Sequence, residues 1–189
     1  MKRYVLITVY FILPLFSFAQ SHAAKGIIIG YPKLYFMGAG YELSLKQNFS
    51  AQISWLHFGF DQRNTDGPAE HTHVLTPEIR YYLGKDQSFM DKFFVGAFTE
   101  LSKTEILPSG EQAPDYFLVE GDIKQISPGL LVGRNISFSN RFFIEIFFGG
   151  KYRFWSTEKI YFNNKKEEIV VKNGSQPGLR VGVFLGYVF

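Results

Sequence analysis

The 189-residue chain contains no cysteine. That excludes a disulfide framework, cysteine-ligated zinc, a thiol nucleophile and a cysteine-linked lipid anchor. Beyond Phe18 it has no long unbroken apolar run, so no later stretch reaches the roughly 20 residues a membrane-spanning helix needs. It also lacks a dominant charge. Lys and Arg number 20 against 17 Asp and Glu, a formal net of +3, and two of the cations are Lys2 and Arg3 at the start. Without that pair the net falls to +1, which makes no case for nucleic acid. No phosphate-cradling glycine loop, nucleophile elbow or zinc-protease helix is present. What abounds is Phe (21), Tyr (11) and Gly (18). Aromatics with glycine favour β-structure, tight turns and crowded interior positions, and this length suits one domain.

Lys2 and Arg3 precede an apolar run from Tyr4 to Phe18 that contains Pro14. Ser17 and Ala19 are the small residues a signal peptidase inspects. The expectation is a secretory signal peptide over residues 1–19, cut after Ala19 to expose Gln20. A cut after Ala23 is the alternative, since Ser21 and Ala23 have the same spacing. Residues 20–189 are then one domain, and a chain without a later helical span would enter a membrane only as a closed barrel.

Period-two alternation is clearest at the end of the chain. Leu179, Val181, Val183, Leu185, Tyr187 and Phe189 form one row; Gly178, Arg180, Gly182, Phe184, Gly186 and Val188 form the other. Successive strand residues point to opposite faces. One apolar face and one small or charged face suit a barrel wall between lipid and lumen. The same alternation predicts strands at 25–30, 34–45, 49–61, 73–83, 92–103, 120–134 and 141–154. Pro77 cannot donate to a ladder, so an irregular position is expected there. Long connections at 62–72, 104–119 and 155–174 alternate with short ones at 46–48, 84–91 and 135–140, as outer loops and periplasmic turns do. The fold class expected is all-β, an antiparallel up-and-down transmembrane β-barrel of about eight strands.

The terminal Phe189, with Tyr187 two residues earlier, resembles the C-terminal strand of Gram-negative outer-membrane β-barrels. The resemblance implies an assembly signal read by the barrel-assembly machinery. Gly40-Tyr41-Glu42, Pro77 to Tyr82 and Gly186-Tyr187-Val188-Phe189 resemble uncharacterised single-domain outer-membrane barrel families. These motifs are architectural and imply fold and location, the cell outer membrane, but no activity.

The inward rows collect Glu42, Glu78, Glu100 and Glu145 with Arg80, Lys151, Arg153 and Arg180. An interior of about eight strands is just wide enough for side chains to fill, and buried charges must pair. The expectation is a structural ionic cluster that plugs the lumen. A proton pathway or catalytic acid pair is the sharper alternative, and the balance of charge argues against it. His71 and His73 share a side and, with Glu70 or Asp66, could bind a transition metal; two histidines without a clear third ligand are more often solvated. The sequons at Asn48, Asn135 and Asn173 read as turn residues.

The functional expectation is a non-enzymatic outer-membrane barrel with a filled lumen and a structural or loop-mediated binding role, without catalytic residues, metal or cofactor. It would be monomeric and contact outer-membrane lipid and lipopolysaccharide, not nucleic acid. The first alternative is a lipid A deacylase- or acyltransferase-like enzyme. Such an enzyme needs serine, histidine and acid together, yet the His-x-Ser pattern of the hydrolases is absent at His57 and His73. The second is a soluble lipocalin-like binder, which would reverse the apolar and charged faces.

Overall fold

The computed structural model describes residues 22–31, 34–46, 48–61, 69–84, 91–107, 119–162, 167–169 and 173–189. The expected signal peptide and its cut at Ala19 lie outside the described residues. The chain forms β1 (His22–Tyr31), β2 (Leu34–Lys46), β3 (Phe49–Asp61), β4 (Ala69–Tyr82), β5 (Phe93–Leu107), β6 (Val119–Ser137), β7 (Phe142–Phe162), β8 (Glu167–Ile169) and β9 (Gly174–Val188). Each of the strands β1 to β7 pairs antiparallel with the next, β9 pairs with β7, and β9 returns to β1. Eight strands thus close a ring. The three-residue β8 sits outside it, paired with the far end of β7 at Ile160↔Ile169.

Alternation decides which face each residue takes. Along β7, Phe143, Glu145, Phe147 and Gly149 are buried, while Phe142, Ile144, Ile146 and Phe148 are exposed. Exposed apolar rows continue around the ring with Ile53, Leu75, Ile79, Val95, Leu130, Val181 and Leu185. Hydrocarbon on the outside and charge on the inside invert a soluble fold.

The strands run further than the alternation suggests. β4 begins at Ala69, so His71 and His73 lie in a strand and not beside a loop. β5 and β7 likewise continue to Leu107 and Phe162. Backbone ladders hold these extensions, and ladders do not require apolar side chains. Pro77 keeps its place opposite Ile53 on β3, but toward β5 the pairing skips from Leu75↔Leu101 to Glu78↔Phe98. Pro128 does the same toward β7, between Ile126↔Phe154 and Gly129↔Lys151. Each proline thereby turns its missing N–H to an interrupted ladder.

The short-turn end is stitched by backbone hydrogen bonds: Leu83 N to Phe93 O at 2.8 Å, Asn135 N to Lys92 O at 2.9 Å, Val188 N to Arg141 O at 2.9 Å and Phe189 N to His22 O at 3.0 Å. The seam between β1 and β9 is short by comparison. Its ladder runs from Ala23↔Val188 to Gly26↔Leu185.

Inside, four phenylalanines lie over the glycines directly opposite them: Phe94 with Gly133, Phe98 with Gly129, Phe143 with Gly186 and Phe147 with Gly182. A Cβ on any of these glycines would collide with the facing ring. The narrow lumen admits rings only because the neighbouring strand offers no side chain there.

Candidate functional site in the barrel lumen

Lys25 projects inward from β1 and donates to Gln52 Oε1 at 2.7 Å, and also to Glu42 and Glu145. Arg80, from β4, grips Glu145 with both terminal nitrogens, Nη1 to Oε2 at 2.6 Å and Nη2 to Oε1 at 2.9 Å. Its Nη1 also reaches Glu42 Oε2 at 3.3 Å, and its Nε donates to Glu78. Arg180 then links Glu78, Nη1 to Oε2 at 2.7 Å, to Glu100, Nε to Oε1 at 3.2 Å. Lys151 closes the chain of pairs by donating to Glu100. Tyr82 donates to Glu42 Oε1 at 2.8 Å, and Asn135 Nδ2 donates to Tyr82 at 3.4 Å. Every strand of the ring contributes at least one of these groups.

The cations are also held by rings. The Arg80 guanidinium lies 4.2 Å from the Phe94 centroid. That of Arg180 lies 4.3 Å from Phe98 and 4.9 Å from Phe147, and Lys25 Nζ lies 5.7 Å from Phe143. Lys25, Arg80 and Arg180 therefore each meet carboxylates and an aromatic face, which adds attraction in a desolvated setting. The rings in turn rest on the glycines.

Of the eight lumen residues read from the sequence, Glu42, Glu78, Arg80, Glu100, Glu145, Lys151 and Arg180 join this network. Arg153 does not. It lies higher, with Nη2 3.5 Å from Pro177 O and its side chain against Gly178. The sequence reading missed Lys25. Its position just before Gly-Ile-Ile-Ile hides its facing, because three consecutive apolar residues carry no alternation. The signal that finds it is closure of the ring, since Lys25 stands opposite both Gly40 and Gly186. With Lys25 included, four carboxylates meet four cations in one connected network.

The ionic network reaches up the lumen as far as Glu100 and Lys151. Above them Thr72, Val74, Ser102, Thr104 and Gln125 line the space, with the Thr72 and Thr104 hydroxyls 2.8 Å apart between neighbouring strands. A cavity of about 760 Å³ lies here, walled also by Ile27, Leu56, Phe58, Phe147 and Phe184 and running out past the exposed Leu179 and Val181. The cavity lies above the ionic network.

On the outer face His57, His71 and His73 gather with Tyr35 and Trp55. His57 and His73 stack at 4.2 Å, and Tyr35 OH lies 3.0 Å from His71 Nδ1. Among the described residues no group of three or more His, Cys, Asp and Glu side chains is arranged to hold a metal ion. Cross-strand pairing also aligns His57, His73, Lys103 and Lys124 in one row. The row directly below is Trp55, Leu75, Leu101, Ile126 and Phe154. Tyr187 and Phe189 lie at the short-turn end. Tyr187 accepts from Arg141 Nη1 at 2.8 Å, and Phe189 meets it edge-on at 5.1 Å.

A family model described as "Protein of unknown function (DUF3575)" matches residues 5–189. None of the curated proteins compared with the chain matches it. Among solved structures, the chain is similar to the N-terminal β-barrel domain of Pseudomonas aeruginosa OprF. That similarity has a TM-score of 0.47 and 11% identity and covers 90% of this chain and 98% of that one.

Proposed function

The chain belongs to the DUF3575 family, and we propose that it is a non-enzymatic integral outer-membrane β-barrel whose lower lumen is closed by its own ionic network. The observation that carries this reading is the inversion of polarity. Outward rows are hydrocarbon from Ile53 round to Leu185, while Glu42, Arg80 and Glu145 are fully buried. A soluble lipocalin-like barrel needs the opposite arrangement. The network balances its own charges and spans all eight strands, which suits a plug that fixes register.

In this reading residues 1–19 are a signal peptide. A cut after Ala19 is preferred over Ala23, because His22 and Ala23 pair with Leu43 and Glu42, and Ala23 also pairs with Val188. The row of His73, Lys103 and Lys124 above an apolar band suits contact with the phosphates of lipopolysaccharide, with lipid chains below. Tyr187 and Phe189 act as the signal for the barrel-assembly machinery. The barrel works as a monomer without cofactor or nucleic acid.

The test is fractionation of cells expressing the full chain. The expected result is recovery in the outer membrane, a mature N-terminus at Gln20, and faster gel migration of unheated than of boiled sample. Recovery as a soluble periplasmic protein would end this reading.

A further inference from the structure

We propose that the upper lumen is a binding site for a long-chain fatty acid, which reaches it sideways from the membrane through the seam between β1 and β9. The proposal rests on the outer-membrane reading above.

The seam supplies the route. Beyond Gly26↔Leu185 no ladder pair joins β1 to β9 among the described residues. β1 nevertheless stays paired with β2 as far as Tyr31↔Leu34, and β9 with β7 as far as Trp155↔Gly174. Two strand edges therefore face each other unpaired at the level of Val181 and Val183, which point outward and are exposed. An unpaired edge is costly in hydrocarbon and is tolerated where it borders a cavity. Such a cavity is present on both sides. The 760 Å³ space in the upper lumen and a groove of about 750 Å³ on the outer surface share Ile27, Val183 and Phe184. Lumen and lipid face meet at the point where the ladder stops.

The cavity supplies the chemistry. Its volume lies in the range of small-ligand sites, roughly 300–1,000 Å³. Leu56, Val74 and Phe147 give it apolar walls. Its charged lining is Lys151, Arg153 and Arg180 against Glu70 and Glu100. Glu100 is already shared by Lys151 and Arg180, and Glu70 is exposed. Three cations against two carboxylates leave the lining one net positive charge, and Arg153 has no ion pair among the described residues. Arg153 Nε and Arg180 Nη2 are buried and have no hydrogen-bond partner among the described residues. Arg180 itself is 5% exposed. Buried unsatisfied donors are unfavourable, and a guanidinium binds a carboxylate through strong paired hydrogen bonds. One surplus cation matches the single charge of a carboxylate better than the −1.5 to −2 or so of a phosphate monoester.

The experiment uses the full chain refolded in detergent, with heat-modifiable migration as the control for the barrel itself. The probes are cis-parinaric acid and its methyl ester. The expected result is saturable binding of one molecule, tighter for the acid. Arg153→Gln should weaken the acid about tenfold, or about 1.4 kcal/mol, and leave the ester unchanged. Val74→Trp should fill the cavity and abolish both, with Leu56→Trp in its place where that variant does not fold. Ile28→Cys combined with Val183→Cys places two thiols across the seam in a chain with no other. Oxidation should slow loading from vesicles, and reduction should restore it. Absence of saturable binding, equal binding of acid and ester, or full binding by both tryptophan variants would overturn the site. Equal loading of oxidised and reduced protein would overturn the lateral route. Loss of heat-modifiable migration in the unmutated chain would instead overturn the barrel reading.

Discussion

Arg80 stands between three carboxylates and against a phenylalanine face, with no exposed surface. Removing one partner from a buried ionic group is costly because the others stay buried without compensation. Arg80→Leu should therefore lose on the order of 3–5 kcal/mol in urea unfolding of the refolded protein. Lys103→Leu is the comparison. Its pair with Glu105 at 2.7 Å is partly exposed, and about 1 kcal/mol or less is expected there. Equal losses would show that the lumen network does not hold the barrel together. Asp91 acts at the short-turn end. It adopts φ 54 and accepts from Ser137 N at 2.9 Å and from the Ser137 hydroxyl. These two hydrogen bonds hold its carboxyl below the ordinary aspartate range. The native group thus binds its proton less readily than the unfolded one. Its contribution is present above roughly pH 4 and disappears as the pH falls through the lower native value. Asp91→Asn keeps an acceptor and tolerates the backbone. Its unfolding midpoint should drop less between pH 7 and pH 3 than that of the unmutated chain, and identical drops would remove Asp91 as a contributor.

Between neighbouring strands the repeated unit is a ring on a glycine. Phe143 is fully buried over Gly186, so a methyl group at 186 cannot be met by a small shift of the ring. Gly186→Ala should lose about 1–3 kcal/mol through overpacking. Phe143→Leu added to it should recover part of that loss, and a Gly186→Ala barrel as stable as the original would refute the pairing. Phe189 presents the contrasting case. Its ring is 70% exposed, and its link to the seam is a backbone hydrogen bond. Phe189→Ala should still refold in detergent, yet reach the outer membrane in much smaller amount. Normal membrane levels would remove the assembly signal. The outward rows of β7 and β9 were legible because their polarity contrast is strong and strictly alternating. The ring-on-glycine pairs were not, since each needs the register between two strands. Arg153 shows the same limit. Alternation gives its face, but its height above the plug depends on the tilt of β7 relative to β9. The start of β4 was hidden for another reason, since Ala69 to His73 is polar and held by ladders on both sides.

At the scale of the whole molecule, side chains from every strand of the ring meet in the lower lumen, while the upper lumen holds a cavity. A closed barrel of this size has little room to spare, so the division depends on side-chain length at each level. The ionic network occupies the levels from Lys25 to Lys151, and short residues line the space above. Two consequences can be measured on one protein. In planar bilayers the full chain should show no large, stable conductance step, because a continuous aqueous path would have to pass the network. The absence of native cysteine allows the boundary to be mapped directly. Ser102 lines the cavity, whereas Ser127 has no exposed surface. A small water-soluble maleimide should label Ser102→Cys readily and Ser127→Cys at least about tenfold more slowly, since a reagent reaches a buried site only through opening of the fold. Unfolding in urea should make the two equal. Porin-like steps together with fast labelling of Ser127→Cys would mean that water crosses the network. The buried pairs would then line a channel, and the plug would be lost as an account of the lumen.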